Sequence, residues 1–198
     1  MKQLVIATTN SNKKKELEKL LRGLKVKVLG LSDVNIEVPP VTEDGKTFRQ
    51  NAVKKALTFS RFINGLILAD DSGLVVEALD GKPGVRSARF AYTGAKDEEN
   101  NAKLLKLMET IPADKRQATF VCVAAIAEDG VLLGTQEGQC KGSIGVEVKG
   151  NNGFGYDPLF TPDGYNRTFA EFKPAFKNRI SHRAEALKKV KTIIRGYL

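Results

Sequence analysis

Leu66-Ile67-Leu68-Ala69-Asp70-Asp71-Ser72-Gly73-Leu74-Val75-Val76 sets two adjacent carboxylates between two apolar runs. A short apolar run reads as a buried strand, and a glycine behind a small hydroxyl residue marks a tight turn. The spacing predicts strands at 66–69 and 74–76, with the Asp pair where the first one ends. Acids at a strand end face a cleft, where they can hold a hard divalent ion such as Mg²⁺. The alternative is that one Asp caps the turn and the other is solvated.

On the N-terminal side, Leu4–Ala7 is a short apolar run. Leu17, Leu20, Leu21 and Leu24 recur at helical spacing among lysines, and Val26–Leu29 is apolar again. This is a β-α-β opening. Pro39-Pro40 and Thr42-Glu43-Asp44-Gly45 form a loop. Thr47–Phe62 follows as a second helix with Phe48, Ala52, Ala56 and Phe59 on its buried stripe. On the C-terminal side, Asn100–Met108 reads as a helix. Thr119–Ala127 and Val131–Thr135 read as strands joined at Asp129-Gly130, a strong hairpin signal. Residues 150–158 make a glycine-rich loop, and 182–195 form a last helix with Leu187, Val190 and Ile194 inward. Helices and strands mix throughout, but only the opening clearly alternates. The fold class is therefore α/β, or mixed α+β, with a mixed sheet and flanking helices rather than a clean doubly wound fold.

The 198 residues suit one domain, or one domain of two lobes. No apolar stretch nears the roughly 20 residues of a membrane span. Met1 leads straight into a strand-like run that lacks the features of a signal peptide. Cys122 and Cys140 form no CxxC pair, and Cys122 sits in an apolar run. A reducing, cytoplasmic setting is expected. The net charge of +9 is concentrated at the two ends and points to anionic partners, a nucleotide or a nucleic acid. No aromatic-rich RNA-binding signature accompanies it.

Four constellations carry chemistry. Thr8-Thr9-Asn10-Ser11-Asn12-Lys13 lies between the first strand and the first helix. Its hydroxyls, amides and backbone N–H groups at a helix start suit an anion, and Lys13 adds a positive charge. It lacks the glycines of a P-loop, and Ser11 or Asn12 serves equally as a helix cap. Glu43 with Asp71 makes a second pair, since Mg²⁺ typically takes one or two carboxylates together with substrate phosphates. The third is Gly153-Phe154-Gly155-Tyr156-Asp157-Pro158, where Phe154 offers a stacking face and Tyr156 and Asp157 offer polar groups for a base or sugar. The fourth is Lys177 with Ser181-His182-Arg183. His182 is the only histidine, which removes His-rich metal sites and speaks against a Ser-His-Asp hydrolase.

In this order the pieces resemble the inosine triphosphate pyrophosphatase family, also called dITP/XTP diphosphatases. The resemblance runs from Ala7-Thr8-Thr9-Asn10 and Lys13 through Glu43-Asp44-Gly45, Asn51-Ala52, Lys55 and Ala69–Leu74. It closes with Gly153–Pro158 and Ile180-Ser181-His182-Arg183. It implies an elongated mixed sheet, two lobes with an active-site cleft between them, and a homodimer. It also implies Mg²⁺-dependent hydrolysis of ITP, dITP and XTP to the monophosphate and pyrophosphate. Thr8–Lys13 and Lys55 would then bind triphosphate, and Ser72 would touch it. Glu43 and Asp71, with Asp70 as a possible third ligand, would hold the metal, and Asp71 would activate water. Phe154, Gly155, Tyr156, Asp157, Lys177, His182 and Arg183 would read base and sugar. Lys177 and Arg183 only donate hydrogen bonds, which suits the 6-oxo group of inosine and opposes the 6-amino group of adenine. Two alternatives stand beside this reading: a Maf-like pyrophosphatase for modified pyrimidine nucleotides, and a basic RNA-binding module. Neither a nucleic-acid nor a membrane partner is expected.

Overall fold

In the computed structural model, which describes residues 1–34, 36–37 and 39–198, Leu66–Val76 is one uninterrupted strand, not two strands around a turn. The reason is that both acids find buried partners, so the chain need not leave the sheet to reach water. The strands are β1 Gln3–Ile6, β2 Lys27–Gly30, β3 Leu66–Val76, β4 Gln117–Glu128, β5 Val131–Ile144 and β6 Phe160–Pro162. They form one mixed sheet in the order β2-β1-β3-β4-β5-β6. The helices are α1 Ser11–Leu21, α2 Phe48–Ser60, α3 Asp97–Leu107, α4 Pro174–Ile180 and α5 His182–Arg195. The short α4 and β6 were not foreseen from the sequence.

The opening β-α-β is as expected. β1 pairs in parallel with both β2 and β3, in the register Leu4↔Leu66, Val5↔Ile67 and Ile6↔Leu68. Side chains on a strand alternate between faces, so each register pair points to one side. Leu4, Ile6, Leu66 and Leu68 pack on Leu17 and Leu21 of α1 and on Leu187, Val190 and Ile194 of α5. Val5, Ala7, Ile67 and Ala69 pack instead on Ala52, Ala56 and Phe59 of α2. Asp129 and Gly130, at φ 50° and 77°, join β4 and β5 as a two-residue hairpin turn.

The chain divides into two compact units. The first comprises Met1–Asp71, Cys122–Gly138 and Arg183–Leu198; the second comprises Ser72–Val121 and Gln139–His182. The core of the second is built from Leu104 and Met108, Phe120, Ile144, Tyr156, Leu159, Phe160 and Phe169. Within it Arg116 is buried with its guanidinium on backbone carbonyls: Met108 at 2.6 Å, Gly145 at 2.7 Å and Ile144 at 2.8 Å. That side chain closes the C-terminal end of α3, whose last carbonyls lack helical partners.

β6 reaches β5 through a glycine. A Cβ at Gly142 would lie 2.2 Å from the Thr161 carbonyl oxygen and 2.9 Å from Pro162 Cα. These are backbone atoms of β6, and they cannot swing aside as the end of a flexible side chain could. Gly142→Ala should therefore lower unfolding free energy by about 1–3 kcal/mol, read as a shift in the urea midpoint.

Candidate active site

The period-two alternation of β3 continues into its acids. Asp70 follows Leu68 onto the α1/α5 face, and Asp71 follows Ala69 onto the α2 face. Adjacent in sequence, the two carboxylates are directed to opposite sides of the sheet.

Asp70 is fully buried among cations. Arg183, at the start of α5, brings Nε and Nη2 to 3.3 Å from Asp70 Oδ2. Lys13, in the first turn of α1, places Nζ 3.4 Å from the same oxygen. Arg183 Nη1 also donates to Glu16 Oε2 at 2.6 Å. Burial alone would raise the Asp70 pKa, but Lys13, Arg183 and Lys55 outweigh it and hold the carboxyl well below the usual range. The Cys122 thiol donates to Asp70 Oδ2 across 3.8 Å. Burial, and then the Asp70 charge, push that thiol up to about 12.

Asp71 faces α2. Asn51 and Lys55 stand four residues apart on that helix, hence on one side of it. Asn51 Nδ2 donates to Asp71 Oδ2 at 2.9 Å, while its Oδ1 accepts from the Gly45 N–H at 2.8 Å. Lys55 Nζ donates to Glu43 Oε1 and, at 2.6 Å, to the Asp70 carbonyl oxygen. Thr47 and Gln50 form the capping box that starts α2 just beyond the Glu43 loop. Burial raises the Asp71 pKa against the pull of Lys55, Lys13 and the Asn51 amide, and the nearby Glu43 charge adds to the rise. For Lys55, burial works against its charge, but Asp70, Glu43 and Asp71 more than compensate and its pKa is raised.

Two carboxylates already organised around an ammonium form a site for positive charge. Their hard oxygen donors fit a Mg²⁺ ion completed by phosphate oxygens and water. Among the described residues no three His, Cys, Asp or Glu side chains converge on one point. Asp70 lies on the other face of β3, paired with Arg183 and Lys13.

The loop before α1 differs from expectation in one respect. Asn10, not Ser11 or Asn12, is the cap, and its Oδ1 accepts from the N–H groups of Asn12 and Lys13, both at 3.0 Å. Thr8 Oγ1 accepts from the Asn10 N–H at 3.2 Å. Thr9, Ser11 and Asn12 are exposed.

The second unit holds the aromatic loop. Lys177 of α4 is buried with Nζ 2.6 Å from Asp157 Oδ2, 4.7 Å from the centre of the Phe154 ring and 5.7 Å from that of Phe169. The same Asp157 oxygen accepts from the Phe154 N–H at 2.9 Å. Gly153, at φ 77°, is obligatory: a Cβ there would meet Asp157 Oδ2 at 2.0 Å. Ser72, half-buried, belongs to this unit and follows directly on Asp71.

Three of the residues expected at the base have partners within the protein. Tyr156 is buried and its hydroxyl donates to the Ser87 carbonyl at 2.8 Å, which anchors the loop. His182 is buried with its ring stacked on Phe120 at 4.7 Å and 9°. Arg183 is held by Asp70 and Glu16 in the first unit, and in the second Lys177 lies beside Phe154. Sequence reasoning missed Asn51 and Glu16 as site residues. Asn51 had a signal, a polar side chain next to Ala52 on the apolar stripe of a helix. Glu16 had none, lying in a lysine-rich stretch that reads as solvated.

A mixed α/β sheet whose central parallel strand carries buried acids against lysines and an arginine is a scaffold for a strongly charged ligand. The chain belongs to the Ham1 family, whose model matches residues 4–193. It is 51% identical over 192 residues to a dITP/XTP pyrophosphatase of Desulforamulus reducens, covering 97% of this chain and 95% of that one. It is 45% identical to a dITP/XTP pyrophosphatase of Clostridium tetani, covering 100% of this chain and 98% of the relative. Among solved structures, a HAM1 protein from Coxiella burnetii superposes with a TM-score of 0.88 at 39% identity, covering 99% of this chain and 100% of that one. Among the described residues no helix is long and apolar enough to cross a membrane.

Removing the Asp70 charge strands a buried guanidinium. Asp70→Asn should destabilise the fold by about 3–5 kcal/mol, with part of the loss recovered in a double variant that also carries Arg183→Met. A depressed carboxylate gives its full stabilisation above its unfolded pKa of about 3.9 and loses it as pH falls toward the folded value. Urea midpoints of the wild type should thus fall steeply below about pH 4, while Asp70→Asn lacks that portion of the acid dependence.

Proposed function

We propose that this chain hydrolyses ITP, dITP and XTP to the monophosphate and pyrophosphate in a Mg²⁺-dependent reaction. The observation that carries the reading is the Glu43–Lys55–Asp71 cluster, in which a carboxylate with a raised pKa adjoins a lysine able to meet phosphate. The activity for which the relatives are named supports it, and so does the basic character of the chain. A cytoplasmic homodimer is part of the same proposal.

Release of pyrophosphate requires water to attack the α-phosphorus. A bond forms from the water oxygen to that phosphorus, and the bond from phosphorus to the α–β bridging oxygen breaks. Asp71 accepts the proton of the attacking water, and Asn51 fixes the orientation of its carboxylate. A raised pKa makes Asp71 a better base. Lys13 and Lys55 offset the charge that develops on the leaving pyrophosphate, the main demand in phosphoryl chemistry. Mg²⁺ held by Glu43 and Asp71 would supply charge to the phosphates and acidify the bound water.

Base choice rests with the Phe154 loop. Phe154 stacks on the purine and the Lys177 ammonium donates to a 6-oxo group. Adenine turns an amino group toward that ammonium, and an unsatisfied buried donor costs about 1–3 kcal/mol. A panel of ITP, dITP, XTP, GTP, ATP and modified pyrimidine triphosphates, scored by pyrophosphate release, tests this. The 6-oxo purines ITP, dITP and XTP should turn over well and ATP poorly; equal rates for ATP and ITP would refute the donor argument. Asp71→Asn should keep its circular dichroism spectrum and lose about 10²–10⁴-fold in kcat, the range for a lost general base. Near-normal turnover in that variant would remove Asp71 from the mechanism.

A further inference from the structure

Outside the residues used so far, one helix turn grips the backbone next to Phe154. Asp97 and Asn101 stand four residues apart at the start of α3, so both side chains leave the same face. Asp97 Oδ2 accepts from the Gly155 N–H at 2.6 Å. Asn101 Nδ2 donates to the Gly155 carbonyl at 3.0 Å. Both polar groups of one loop residue are thus held by side chains more than fifty positions away in sequence. Gly155 sits at φ 62° with open space where a Cβ would be, so the clasp acts on backbone alone.

On the other side of the ring, the Phe154 N–H is bound by Asp157. The peptide units flanking Phe154 are therefore both fixed, one from within the loop and one from α3. A glycine-rich loop left to water would sample many conformations, and ordering it on binding weakens affinity. Asp97 is exposed while Asn101 is buried, so the pair joins the surface of α3 to its packed side.

We propose that Asp97 and Asn101 are positioning residues for purine recognition, clasping Gly155 so that Phe154 is preset to receive the base. The inference rests on the proposed function of the Phe154 loop and adds to it the part of α3 that holds the loop ready. Such a preset is made equally in the bound ground state and the transition state. It therefore appears in KM and in product affinity, with kcat unchanged.

The test compares Asp97→Ala, Asp97→Asn and Asn101→Ala with the wild type. Three quantities are measured: kcat and KM for ITP, thermal midpoint, and calorimetric binding of IMP. Asp97 is exposed, so its variants fold. Asp97→Ala and Asn101→Ala should raise KM and the IMP Kd about tenfold, the low end for a lost hydrogen bond to a charged or buried group. Their kcat should stay within about twofold. Asp97→Asn keeps an oxygen that accepts from the Gly155 N–H and should restore wild-type binding. The proposal is overturned if Asp97→Ala leaves both KM and the IMP Kd unchanged, whatever its midpoint does. It is equally overturned if Asp97→Asn binds as poorly as Asp97→Ala, since helix-end charge and not the clasp would then be responsible. Absence of pyrophosphate release by the wild type would count against the proposed activity, and IMP binding alone would then judge the clasp.

Discussion

A buried carboxylate must be answered by charge where it lies, and Asp70 is answered from two helices at once. Arg183 comes from α5 and Lys13 from α1, the two helices that cover its face of the sheet. Their apolar stripes turn one face of each helix onto β1 and β3. The ion pairs add directional contacts, because a guanidinium and a carboxylate have preferred directions of approach. With Asp70 engaged on one face, the next residue along the strand is compelled to the other, and Asp71 meets Asn51 and Lys55 there. The separation of the two acids is thus a property of the pleat, and their different chemistry follows from what each face contains.

The two pKa directions express that division. Both carboxylates are buried, so solvent exposure does not distinguish them. Asp70 has cations at close range and stays ionised far into acid. Asp71 has fewer close cations, an amide and a neighbouring carboxylate, and it becomes more basic. One strand thereby carries a carboxylate held as an anion and, next to it, one whose proton affinity is raised. A comparable pairing recurs in the second unit, where Lys177 and Asp157 lie together in the interior and a glycine-dependent loop is tied to their shared oxygen.

Much of this was legible in the residues. The β-α-β opening, the hairpin at Asp129-Gly130, the stripe of α2 and the inward face of α5 all rest on local periodicity and turn chemistry, which act over a few residues. The misreading at Asp70–Gly73 has an equally plain cause. Polar residues and a glycine break an apolar run in the same way whether they form a turn or cross a charged interior. Only the partners, over a hundred positions away in the case of Arg183, decide between the two. The internal partners of Arg183, Tyr156 and His182 were obscure for a related reason: pairing with distant residues is a tertiary fact. Glu43 and Lys55 meet because an acidic loop leads directly into the helix that carries the lysine.

Cys122 lies beneath Asp70, and its environment has a chemical consequence. The thiolate is the form that reacts with peroxide, disulfides and alkylating agents, and a pKa of about 12 leaves almost none of it at neutral pH. A sulfur atom stationed one contact from the charge that organises the sheet is thereby held in its protonated, less reactive form.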